Sequence, residues 1–140
     1  MKKLIIFFII FLVIVVASLI VYGPLLYYGR YYIGFSKIIQ ITDVTKKKLI
    51  TLVKDERQGS VFAINILITG HIDGAAMIRR YYENSEKPFE NIYEIKKGRV
   101  RLKIGGDWYS DKCLIEYEPI DVTSGKLQIK YKFKAFPTKK

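Results

Sequence analysis

The rarest reactive side chains in this 140-residue chain are one histidine, His71, one cysteine, Cys113, and one tryptophan, Trp108. His71 stands in Gly70-His71-Ile72-Asp73-Gly74, where an extended backbone would put His71 and Asp73 on one face. A zinc site wants three or four ligands, so this pair falls short and reads as an ordinary turn. Cys113 alternates with polar neighbours at an inward strand position, the setting of an inert, core-packed thiol rather than of a nucleophile. Glu116 and Glu118 lie two apart on one open strand face, with no cleft to set them against each other as acid and base. No Gly-rich phosphate loop, Ser-centred elbow or His-Glu zinc motif occurs. The reading is therefore non-enzymatic: no catalytic residue, metal or cofactor is expected.

Two groups of residues could instead bind. Gly105-Gly106-Asp107-Trp108-Tyr109-Ser110-Asp111 carries an indole, a phenol and two carboxylates four apart. Trp108 and Tyr109 could stack on a sugar or peptide, and Asp107 with Asp111 offers too few oxygens for tight calcium. The competing reading is a hairpin whose tryptophan plugs the open end of a core. The second group is basic. The formal net charge is +11, and from Lys96 to Lys140 twelve Lys or Arg face five Asp or Glu. Arg99, Arg101 and Lys103 repeat on one face of a candidate strand; Lys126, Lys130, Lys132 and Lys134 repeat on another. If both strands belong to one sheet, its outer face is strongly positive. Such a face suits anionic lipid headgroups or acidic envelope polymers. Surface lysines also serve solubility and block edge pairing.

The elements that must hold these residues are strands. Phe62, Ile64, Ile66 and Ile68; Val100, Leu102 and Ile104; Cys113, Ile115 and Tyr117; and Leu127, Ile129, Tyr131 and Phe133 each recur with period two. Shorter candidates are 49–53, 75–82 and 91–95. Turns are expected at Gln58-Gly59-Ser60, Gly70–Gly74, Asn84–Pro88, Lys97-Gly98, Gly105-Gly106-Asp107 and Thr123-Ser124-Gly125. About seven strands at this spacing predict an all-β domain over 38–136, an antiparallel β-sandwich of immunoglobulin-like size, with a small β-barrel as the runner-up. Residues 137–140 form a short basic tail.

Ahead of this body, Leu4 to Tyr22 contains no charge, and sixteen of the eighteen residues from Leu4 to Val21 are Leu, Ile, Phe or Val. As a helix it spans roughly 28 Å, the thickness of bilayer hydrocarbon, and it has no polar face for a soluble fold. Segment 1–23 therefore reads as a cytoplasmic tip and transmembrane signal anchor, with the lipid bilayer as partner. A cleaved signal peptide, leaving a secreted module that begins at Ser18, is the alternative. Lys2 and Lys3 favour a cytoplasmic amino terminus and an extracytoplasmic body; the reversed topology would suit the lone cysteine equally well.

In segment 24–37, Pro24 is placed to end or kink the helix. Beyond it Tyr27, Tyr31 and Phe35, with Tyr28 and Tyr32, repeat every four residues; together with Tyr22 they read as an aromatic membrane-interface anchor or a docking strip for another membrane protein. Composition and span together fit a small bacterial envelope protein with a binding, accessory or structural role. Nucleic acid is an unsuitable partner for an exported domain. A small hydrolase using His71 or the acidic loop is the remaining rival, and the dispersal of its side chains gives it no support.

Overall fold

The computed structural model describes residues 2–83 and 91–138; at residues 2, 3, 27 and 30–32 it describes the backbone alone. The chain opens with one long helix, α1 (Lys2–Ile33). Its stretch Leu4–Leu26 has a mean hydropathy of 3.6 and buries nothing against the rest of the molecule, so by length and composition it suffices to cross a membrane. Within that stretch the Ser18 hydroxyl donates back to the Ile14 carbonyl at 2.7 Å, so it is satisfied without solvent.

Of the two outcomes expected at Pro24, the helix does not end there but continues to Ile33. A proline removes one donor and crowds one carbonyl, which local adjustment in an apolar helix can absorb. The end comes at Gly34, whose φ of +85° turns the chain toward the body. A side chain there would also collide with the Phe133 carbonyl. Phe35 is consequently off the helix and off the expected aromatic stripe: the Arg57 guanidinium lies 4.0 Å above its ring.

Among the described residues eight strands follow: β1 (Lys37–Ile41), β2 (Lys48–Val53), β3 (Gln58–Ile72), β4 (Ala76–Tyr81), β5 (Asn91–Ile95), β6 (Gly98–Asp107), β7 (Lys112–Pro119) and β8 (Gly125–Pro137). They form two four-stranded antiparallel sheets, in the orders β1-β8-β3-β6 and β2-β7-β4-β5. Among the described residues no strand pairs across the two sheets, so the body is a sandwich and not the barrel. The chain repeatedly changes sheet, so neither sheet is a unit that could form by itself.

Period two explains the core. Ile64, Ile66 and Ile68 on β3, with Leu127, Ile129 and Phe133 on β8, face Ile78 on β4 and Cys113, Ile115 and Tyr117 on β7; all are buried. Each such aliphatic side chain contributes roughly 1.5–3 kcal/mol by leaving water. The Tyr117 hydroxyl donates to the Val44 carbonyl at 2.7 Å, fastening the loop after β1 to the second sheet. Burial pushes the Tyr117 hydroxyl up to about 12.

Two expected turns are instead strand, and a third, Gly70–Gly74, is strand as far as Ile72 and bends only at Asp73 and Gly74. Gln58-Gly59-Ser60 opens β3, where two register shifts against β8 accommodate the extra residues as bulges. Gly70 to Ile72 close the same strand. Gly105 to Asp107 extend β6 against Ala63 to Asn65. Glycine and polar clusters punctuate chains in general, but pairing in the long β3–β8 and β3–β6 ladders overrides that preference here. The segment after β6 is not a hairpin either, because β6 and β7 lie in different sheets. The turn expected at Asn84–Pro88 and the last two residues of the basic tail lie outside the described residues.

Candidate functional site

The two outer faces of the sandwich have opposite character. On the β1-β8-β3-β6 sheet, β8 turns Lys126, Lys130, Lys132 and Lys134 outward while burying Leu127, Ile129, Tyr131 and Phe133. β6 likewise turns out Arg99, Arg101 and Lys103. Both strands flank β3, so their cations fall into rows: Arg99, His71 and Lys126; Arg101, Thr69 and Gln128; Lys103, Leu67 and Lys130; Gly105, Asn65 and Lys132. Neighbouring strands are about 4.8 Å apart, which spaces β6 and β8 cations of one row by roughly 10 Å. The condition set by the sequence, that both basic strands share a sheet, is met.

None of the ion pairs among the described residues involves any of these seven cations. The carboxylates that form ion pairs among the described residues do so elsewhere. On the opposite sheet Arg79 is held by both Glu116 (2.6 Å) and Glu118, Lys47 meets Glu116 at 3.2 Å, and Lys112 meets Glu83 at 2.9 Å. Hydrogen bonds from Arg79 hold Glu118 below the ordinary carboxylate range, and both glutamates raise Arg79. Glu116 and Glu118 are thus a clamp on one arginine rather than an acid–base pair. That face otherwise exposes Leu49, Val53 and Ile92.

Where α1 meets the sheet, Ile33, Gly34 and Ser36 roof a groove of about 490 Å³ on the cationic face. Leu67 and Asn65 floor it, and Lys103, Lys130 and Lys132 stand at its sides. Gly105 keeps the floor low, since a Cβ there would press on the Asn65 side-chain oxygen at 2.9 Å. The groove thus sets three lysines beside the apolar side chains of Ile33 and Leu67. Sequence reading picked out the lysines but not the groove; the alternation of Asn65 and Leu67 with Ile64, Ile66 and Ile68 was the available signal.

The other predicted site residues separate. Trp108 is fully buried at the open end of the sandwich. Its ring stacks on Tyr82 with centroids 3.8 Å apart, its indole N–H donates to the Lys112 carbonyl at 3.0 Å, and the Arg80 guanidinium lies 5.1 Å from the ring centre. No face is left for a ligand to stack on, so the plugging reading describes it. Tyr109, beside it, is 72% exposed. Asp107 ends β6 in solvent, and Asp111 pairs with Lys54 at 2.9 Å. His71 is exposed in the outward row between Arg99 and Lys126, while Cys113 is fully buried. Among the described residues no three His, Cys, Asp or Glu gather closely enough to hold a metal ion. Tyr22 and Tyr28 lie exposed along α1, and the side chains of Tyr27, Tyr31 and Tyr32 are outside the described set.

Fold and surface together define an eight-stranded β-sandwich module carried behind a long apolar helix. No family model matches the sequence. No curated protein matches it either. Solved structures offer distant likenesses. The pre-peptidase C-terminal domain of collagenase from Bacillus anthracis covers 71% of this chain and 89% of its own length at 10% identity and a TM-score of 0.45. A structure from work on disulfide-linked pili of Bacillus endospore appendages covers 72% and 86%, at 12% identity and a TM-score of 0.43. A CBM4 structure covers 74% and 71%, at 9% identity and a TM-score of 0.37. Likenesses this distant carry no functional argument.

Proposed function

We propose that this is a non-enzymatic, single-pass membrane protein that presents a β-sandwich outside the cytoplasmic membrane and uses its cationic sheet face to hold a polyanionic envelope partner. The observation that carries the reading is the set of seven outward Lys and Arg side chains that have no carboxylate partner among the described residues. Folding does not call for them: they lie on the solvent side and repel one another. A phosphate-rich polymer or an anionic lipid surface would neutralise the face, each near-surface cation contributing about 1 kcal/mol at an anionic membrane. The Leu4–Leu26 helix supplies the anchor, and Lys2 and Lys3 orient it with the amino terminus inside.

The test uses the full chain in zwitterionic nanodiscs with fluorescent polyphosphate as probe. Binding should be measurable at 20 mM salt, fall steeply by 300 mM, and drop at least tenfold in the Arg99→Gln/Arg101→Gln/Lys126→Gln/Lys134→Gln variant. Absence of binding at low salt, or an unaffected variant, removes the proposal. Protease protection in membrane vesicles checks the side on which the body lies.

A further inference from the structure

We propose that the groove beneath the end of α1 is a site for one anionic phospholipid drawn from the membrane that α1 spans. This rests on the membrane-anchored reading above and makes its partner more specific at the groove. Four features of the groove converge on that occupant.

The first is charge. Lys103 and Lys130 stand in one row on either side of Leu67, and Lys132 stands in the next row beside Asn65. None of the three has a carboxylate partner among the described residues. A phosphodiester placed between them meets two or three ammonium groups and the Asn65 amide, which fits a singly charged headgroup.

The second is polarity. A site for a small inorganic anion needs no apolar surface beside its cations. Here Ile33 in the roof and Leu67 in the floor give apolar surface beside the lysines, matching the junction of a headgroup with its glycerol and first acyl carbons. The third is size: about 490 Å³ admits a headgroup and glycerol but not a folded polymer segment.

The fourth is height. The apolar stretch of α1 ends at Leu26, and Ile33 is seven residues further along the same helix. At about 1.5 Å per residue the groove roof stands roughly 10 Å beyond the hydrocarbon edge. The polar headgroup layer is about 5–8 Å deep on each side, and charge acts across about 8 Å at physiological ionic strength. A lipid headgroup therefore needs to rise only a few ångströms to enter, and tilt of α1 lowers the groove further. The Gly34 turn, packed against the Phe133 carbonyl, sets this height by folding the sheet back against the helix end.

The experiment is native mass spectrometry of the full chain in neutral detergent, with phosphatidylglycerol, phosphatidylcholine or free glycerol phosphate added. One phosphatidylglycerol should be retained per chain with at least tenfold preference over phosphatidylcholine. Lys103→Gln/Lys130→Gln/Lys132→Gln should lower retention at least tenfold. Leu67→Glu, which places a carboxylate in the floor, should do the same with one substitution at a half-buried position. Lys126→Gln/Lys134→Gln, outside the groove, should leave lipid retention unchanged while weakening polyphosphate binding. Equal retention of the two lipids overturns the site, as does competition by glycerol phosphate at the lipid's own concentration. A groove filled by a second copy of the chain, seen as a dimer that excludes lipid, also overturns it. If polyphosphate binding persists without lipid retention, only this inference falls; loss of both sinks the wider proposal.

Discussion

Two buried polar residues behave in opposite ways, and neither could be read from the sequence. Gln58 lies where the β3 bulges pull the ladder apart, and its side chain repairs the break. Its amide donates to the Phe133 carbonyl at 2.6 Å, and its oxygen accepts the Asp55 backbone N–H at 3.1 Å. Gln58→Leu keeps the bulk but orphans both groups, so it should lower stability by about 2–3 kcal/mol, read as a shift in the urea midpoint at unchanged slope. Arg80 is the reverse case. It is 6% exposed, yet among the described residues its Nε and one Nη have no hydrogen-bond partner. Its contact with the Trp108 ring is worth about 1–2 kcal/mol, less than desolvating an unpaired cation costs. Arg80→Met, which retains an apolar stem over the indole, should raise the thermal midpoint by a few degrees. A lower midpoint would mean that the guanidinium has a use in the native state.

Strand identity was legible where one face is buried and the other wet, because period two is a local signal. Leu127 to Phe133 and Val100 to Ile104 follow it; in β7 Cys113, Ile115 and Tyr117 are buried as the period requires, but Leu114 between them is buried too. Pairing across sheets was not legible, since it depends on contacts far apart in sequence. The turn after β3 and the loop before β8 show this well: each is recognisable alone, but they form one crossed lock. The Asp73 carboxylate accepts from the Thr123 and Ser124 backbone N–H groups at 2.9 and 2.8 Å and from both hydroxyls, while the Asp121 carboxylate accepts from the Ala75 N–H. The Thr123 hydroxyl, then the two backbone donors, hold Asp73 far below the ordinary carboxylate range. Arg57 holds Asp55 at about 2, and Thr45 holds Asp43 at about 2. A carboxyl depressed in the folded state stabilises fully above its unfolded value near 3.8, and that contribution fades as pH falls through the folded value. Stability should therefore drop between about pH 4 and pH 2. Asp73→Asn should be less stable at pH 7 and show a shallower acid limb in denaturant titrations. An acid limb as steep as that of the wild type would show that the lock contributes nothing.

At the scale of the molecule, charge is sorted by face: carboxylates neutralise the β2-β7-β4-β5 side and the loops, leaving the β1-β8-β3-β6 side positive. Cations two residues apart on a strand are roughly 7 Å from each other, and at water-like dielectric each such pair costs about 0.6 kcal/mol. A surface selected for folding alone would intersperse the signs, so the unneutralised face is a stability cost of the kind that binding sites carry. Screening should recover it. In neutral detergent the full chain should gain several degrees of thermal midpoint between 20 and 500 mM sodium chloride. Lys126→Gln/Lys130→Gln/Lys134→Gln should start higher at 20 mM and gain less from salt. Polyphosphate should reproduce the stabilisation of the wild type at micromolar concentration, because a ligand that binds only the folded face raises its midpoint by mass action. If salt leaves the wild-type midpoint unchanged and the triple variant is no more stable, the lysines are too well hydrated to repel, and the surface is a solubility device that needs no partner.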